Sequence, residues 1–110
     1  GGATPLGAAK QDAEAVEVRA LLRQSTAAER RSKRHILATR IVRGVQQGAG
    51  RWASPGVRSA LKKDVHSLRV CLRADGWASE LLPLRRSQFA NDGVWYAHLR
   101  DWTAAIELTP

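Results

Sequence analysis

Between Pro55 and Gly76 the apolar residues Val57, Leu61, Val65, Leu68 and Leu72 recur at intervals of 4, 4, 3 and 4. That period belongs to one face of an α-helix, and such a stripe is stable only when buried against other elements. The local signals agree with the period. Ser54 is placed to cap a helix, Pro55 suits the first helical position, and Asp75-Gly76 ends it. A strand reading exists at the far end, where Leu68, Val70 and Leu72 alternate with Arg69, Cys71 and Arg73. The longer period favours a helix over 55–74.

Other segments repeat the pattern more weakly. Gln11 to Gln24 reads as helix, with Ala13, Val16, Ala20 and Leu21 at helical spacing and Asp12 and Glu14 in the first turn. Thr26 and Glu29 fit a capping box, which would start a second helix, although nothing here forbids one helix through 12–47. That second stretch carries Leu37, Ile41 and Val45 as its stripe, and Gly48-Ala49-Gly50 stops it near Gln47. Ser79 can cap a short helix through Phe89, with Pro83 near its first turn. Asn91-Asp92-Gly93 is a turn signal. Trp95, Leu99, Trp102 and Ile106 then favour helix, and Ile106-Glu107-Leu108 allows a short closing strand. The fold class expected is mainly α. A flexible start over 1–10 precedes one domain at 11–110, with a basic helical segment at 11–50 and a second segment at 55–110. Four or five helices form it, with room for a small C-terminal β element.

Length and composition exclude several classes. With 110 residues and 44% hydrophobic content, one modest core is expected rather than disorder. A single cysteine, Cys71, excludes an internal disulfide scaffold and reads as a small buried hydrophobe. No apolar run approaches the ~20 residues of a membrane span, and no secretory signal is visible, so an intracellular protein is expected. The absence of methionine, even at position 1, fits a processed start or a piece of a longer chain.

Charge is the feature that points to a partner. The net charge is +8, and fourteen of the basic residues are Arg. From Arg19 to Arg73 there are fourteen basic residues against Glu29 and Asp64. The densest stretch holds Arg30, Arg31, Lys33, Arg34, Arg40 and Arg43. Arg51, Arg58, Lys62 and Lys63 extend it, and Trp52 beside Arg51 offers an aromatic surface on which a base can stack. Such a patch suits phosphates, which Arg holds bidentately. An acidic protein partner is the competing expectation, with the chain as an interaction or scaffold subunit of a larger ribonucleoprotein assembly.

Signals for catalysis are weak. His35, His66 and His98 are dispersed, no zinc or calcium spacing is present, and Gly48-Ala49-Gly50-Arg51 lacks the parts of a phosphate-binding loop. No cofactor is expected. A small basic nuclease with His and Glu as acid and base is a third possibility that no spacing selects. Trp95 and Trp102 read as core, and Trp77 as either a lid on the core or a stacking platform.

Residues 57–108 resemble the LOTUS or OST-HTH family of winged-helix domains. The likeness runs through Val57 to Leu68 as a first helix and Asp75-Gly76-Trp77 before a short strand. Ser79 to Leu84 with Phe89 stand as a second helix, and Leu99 to Leu108 as a closing helix and strand. Asp92-Gly93-Val94-Trp95 only approximates the family's Leu-Gly-aromatic step, and the first 55 residues have no counterpart. The resemblance implies RNA binding or docking to a helicase. The expected function is thus a non-catalytic nucleic-acid-binding module, RNA more than DNA.

Overall fold

The structure is a computed structural model that describes residues 6–49 and 55–107. Four α-helices are described: α1 (Leu6–Gln24), α2 (Ala27–Gly48), α3 (Pro55–Ala74) and α4 (Asp92–Glu107). Two single 3₁₀ turns, Ser79–Leu81 and Arg86–Gln88, lie between α3 and α4.

α3 is the central element, packed against both α2 and α1, while α4 closes on α2. Its stripe is buried as the spacing predicts, with Leu61, Val65, Leu68 and Leu72 in one core with Leu37, Ile41 and Val45 of α2. Leu82, Trp95 and Leu99 complete that core, and Val57, Trp77, Phe89 and Trp102 pack on its margin. α3 stops in a Schellman motif. Gly76 takes φ 82°, the Trp77 N–H donates to Leu72 O at 3.0 Å, and the Gly76 N–H donates to Arg73 O at 3.0 Å. Trp77 is thereby turned back onto the core. The rival strand over 68–73 is absent: these residues are helical and Val70, Cys71 and Leu72 are buried.

The stretch 12–47 is two helices. Glu29 N–H donates to Thr26 Oγ1 at 3.2 Å and Thr26 N–H to Glu29 Oε1 at 3.1 Å, which is the expected capping box.

Other expectations are corrected. The helix expected from Gln11 begins at Leu6, so Asp12 and Glu14 do not lie in its first turn. Ala8, Ala9 and Lys10 are strong helix formers that extend it. The α1 stripe is also different: Ala13 and Val16 are exposed, and Glu14 is the buried residue, with Val18 and Leu21 half-buried. The helix expected over Ser79–Phe89 is a loop with two 3₁₀ turns. Pro83 forces Leu82 into extended geometry (φ −77°, ψ 147°), which ends the first turn. The turn signal at Asn91 coincides with the start of α4, where Asn91 Oδ1 accepts from Val94 N–H at 3.0 Å as a cap. Finally, Ile106 and Glu107 continue α4, so the described residues contain no strand, and Leu108 lies outside them. No helix among the described residues is long and apolar enough to cross a membrane.

Candidate nucleic-acid interface

The apolar stripe of α2 turns inward, which places most of its basic residues outward or along its edges. Lys33, Arg40 and Arg43 are exposed, as is Lys63 on α3. Arg31, Arg34 and His35 line a groove with Ile36, which is 56% exposed, and Ile106 of α4. Arg34 is half-buried, with its guanidinium 5.4 Å from the Trp77 ring centroid. This cation–π contact covers part of the ring that stacking on a base would need.

Two expected phosphate contacts are engaged elsewhere. Arg30 is a structural residue: its side chain is 12% exposed and its Nε donates to Asp75 Oδ1 at 2.7 Å. It also donates from Nη1 to Ser25 O at 2.9 Å, tying the α1–α2 junction to the end of α3. Arg58 pairs with Asp92 at 3.3 Å. Arg51, Trp52 and the Ser54 cap lie outside the described residues.

The fate of the acids explains which cations stay free. Glu14 is 2% exposed and held by Arg69 at 3.7 Å, by Arg73 at 3.1 Å and by Arg85. Burial pushes its carboxyl up, but the Arg73 hydrogen bond and the charges of Arg69, Arg85 and Arg73 outweigh burial, so its pKa lies below the ordinary value. Asp92 also takes Arg86 at 2.5 Å, Glu17 takes His66 at 2.6 Å, and Asp101 lies 3.4 Å from Arg100. Glu29 is in the capping box. Arg31, Lys33, Arg40, Arg43, Lys62 and Lys63 have no ion-pair partner among the described residues. Phosphates displace counterions from such cations, and that release favours binding at low salt.

Sequence reasoning missed the Glu14 cluster and the Arg85-Arg86 pair. Arg69 and Arg73 are one helical turn apart, which places them together, but nothing local shows that an acid from α1 meets them.

The groups that could carry chemistry are dispersed. His35 is exposed in the α2 groove, and His66 holds Glu17. His98 Nε2 accepts from Leu84 N–H at 3.0 Å beside the Phe89 ring. Burial lowers the His98 pKa, against the opposing charge of Asp101. Cys71 is buried, its S–H donating to Arg30 O at 3.2 Å, and burial followed by the Asp75 charge pushes its thiol pKa up, away from nucleophile chemistry. Among the described residues no group of His, Cys, Asp or Glu is placed to hold a metal ion. Trp95 is fully buried and Trp102 donates from Nε1 to Leu81 O at 2.7 Å, so both serve the core as expected.

The described residues define a small all-α domain whose helices α2 and α3 carry several cations without an ion-pair partner among those residues. No protein-family model, curated protein or solved structure matches this chain.

Proposed function

We propose that this chain is a non-catalytic nucleic-acid-binding module that favours RNA. The observation that carries the reading is the set of unpaired cations on α2 and α3: Arg31, Lys33, Arg40, Arg43, Lys62 and Lys63. They contact phosphates, while the internal pairs of Arg30 and Arg58 hold the helices in place. The resemblance of 57–108 to LOTUS or OST-HTH domains supports RNA through its helices. Its winged-helix form, with a C-terminal β element, belongs to this proposal and lacks a strand among the described residues.

The test is a titration of fluorescent single-stranded RNA at several salt concentrations. Replacing Arg40 and Arg43 with Gln lowers affinity and reduces the log–log salt slope by about 1.4, at about 0.7 per lost phosphate contact. The circular-dichroism spectrum stays unchanged, since both side chains are exposed. An unaltered slope removes α2 from the interface.

A second reading rests on Ile36. An exposed isoleucine between Arg31, His35 and Ile106 suits an acidic amphipathic segment of a protein partner. RNA binding that is negligible near physiological salt, with capture of an acidic helical peptide that Ile36→Glu abolishes, selects this reading.

A further inference from the structure

The loop found in place of the expected helix closes a small cavity against α3. Lys62, Val65 and His66 of α3 and Arg85, Arg86 and Ser87 of the loop line about 240 Å³. Most of the lining surface is apolar, with Val65 as one wall; hydrogen-bond donors come from Lys62, Arg85, Arg86 and Ser87 and, depending on its tautomer, His66. No carboxylate lines the space.

Carboxylates stand outside it, one on each of three lining groups. Glu14 accepts from Arg85, Asp92 Oδ1 accepts from Arg86 Nε at 2.5 Å, and Glu17 Oε2 lies 2.6 Å from His66 Nε2. Arg86 is fixed a second time by donating from Nη1 to Phe89 O at 2.9 Å. Both guanidiniums keep further N–H groups without acceptors, and Lys62 Nζ and Ser87 Oγ have no hydrogen-bond or ion-pair partner among the described residues, although the Lys62 charge reaches Asp92. Positively charged groups braced from outside an acid-free cavity are set before any ligand arrives. Preorganisation of this kind reduces the entropic cost of binding.

Size and charge select the ligand. The cavity is smaller than the roughly 300 Å³ at which pockets for drug-sized ligands begin. Lys62, Arg85 and Arg86 bring three positive charges to it. A phosphate monoester carries about −1.5 to −2 charges at pH 7 and three acceptor oxygens, whereas a backbone diester carries one charge and two flanking nucleosides. We propose that this cavity binds a terminal phosphate monoester. The inference rests on the nucleic-acid reading and deepens it by making the end of the strand a determinant; Lys62 is common to both, but Arg85, Arg86 and Ser87 are not, so the two can fail separately.

The experiment compares single-stranded RNA carrying a phosphate at the 5′ end, at the 3′ end or at neither. Inorganic phosphate is titrated in parallel against chloride at matched ionic strength. Expected is about tenfold tighter binding of one end-phosphorylated strand, the size that one or two charge-assisted hydrogen bonds supply. Lys62→Gln and Ser87→Ala each bring that ratio towards one. Both side chains are exposed and make no hydrogen bond or ion pair among the described residues, so both variants retain the fold. Lys63→Gln, which lies outside the cavity, weakens all three strands alike. Thermal stabilisation by inorganic phosphate beyond chloride, lost in Lys62→Gln, supports the site even where no RNA binds, and then assigns a free phosphorylated molecule as the source. Equal affinity for all three strands together with no phosphate-specific stabilisation overturns the proposal while leaving RNA binding by α2 intact.

Discussion

Neutralising Glu14 tests how the first helix is held. Among the described side chains of α1, residues 13–24, none belongs to the hydrophobic core, and the one that is fully buried is this acid. Breaking a fully buried ion pair costs about 3–5 kcal/mol. Here the Arg73 and Arg85 side chains are 34% and 40% exposed, so water recovers much of their loss. Arg69 is 15% exposed, donates from Nη1 to Pro83 O at 2.6 Å and has an Nε that is buried without a partner. It is therefore the arginine that suffers most. Glu14→Gln keeps the volume and removes the charge, and about 1–3 kcal/mol of α1 docking is expected to go with it. The loss is local. In native-state hydrogen exchange, amides of residues 13–24 lose protection while those of 61–72 keep theirs. The pH dependence follows from the depressed pKa of Glu14. Its contribution is complete above the ordinary value of 4.5 and is lost as pH falls through the lower folded-state value. Wild-type α1 accordingly releases in acid, and the Gln variant lacks that component. Equal α1 protection in both proteins at neutral pH, or the same acid profile in both, refutes the reasoning.

Substitutions at three further positions probe the packing and the α2 cap. Gly44→Ala places a Cβ 2.5 Å from Leu61 Cδ2 and 2.8 Å from its Cγ, and Leu61 is fully buried. Overpacking of about 1–3 kcal/mol exceeds the roughly 1 kcal/mol gain in helix propensity, so the urea midpoint falls with little change in slope. Thr26→Ala removes the capping box of α2 and lowers stability by about 1 kcal/mol in the same assay. Trp95 is fully buried and its Nε1 has no hydrogen-bond partner. Trp95→Phe removes that orphaned donor along with some volume and costs about 1–2 kcal/mol, against about 3–5 for Trp95→Ala. Equal losses for the two Trp95 variants would mean that the indole N–H is satisfied.

Why some of this was legible in the sequence and some was not follows from the range of the forces involved. The bounds of α3 are set by Pro55, Gly76 and a period of apolar residues, all signals within one helix length. The break at Ser25-Thr26 is likewise local, since Thr26 and Glu29 satisfy each other. α1 was misread because its inward residue is an acid, and apolar periodicity cannot reveal an acid neutralised by arginines 55 to 71 positions away. The ion pair of Arg30 is hidden for the same reason: its partner Asp75 lies 45 residues on. The 79–89 segment has the apolar content of a helix, but the constraint that Pro83 places on Leu82 outweighs it. Arg85 and Arg86 carry no local signal for the proposed phosphate cavity, because the lysine and histidine they meet come from another element.

The division between engaged and free cations has a consequence for salt. Glu14 and Asp75 form their pairs in places where the Arg69 and Arg30 side chains are 15% and 12% exposed. Mobile ions screen such pairs far less than charges in open solvent. Lys33, Arg40, Arg43 and Lys63 are exposed, and at 1 M salt the Debye length is about 3 Å, so their attraction for phosphates is largely lost. Binding and folding therefore respond to salt at different concentrations. Between roughly 0.1 M and 1 M salt, RNA affinity is expected to fall steeply while exchange protection of residues 13–24 stays nearly constant. Parallel loss of both would mean that α1 is held by surface charge alone, and that the buried position of Glu14 contributes little to its docking.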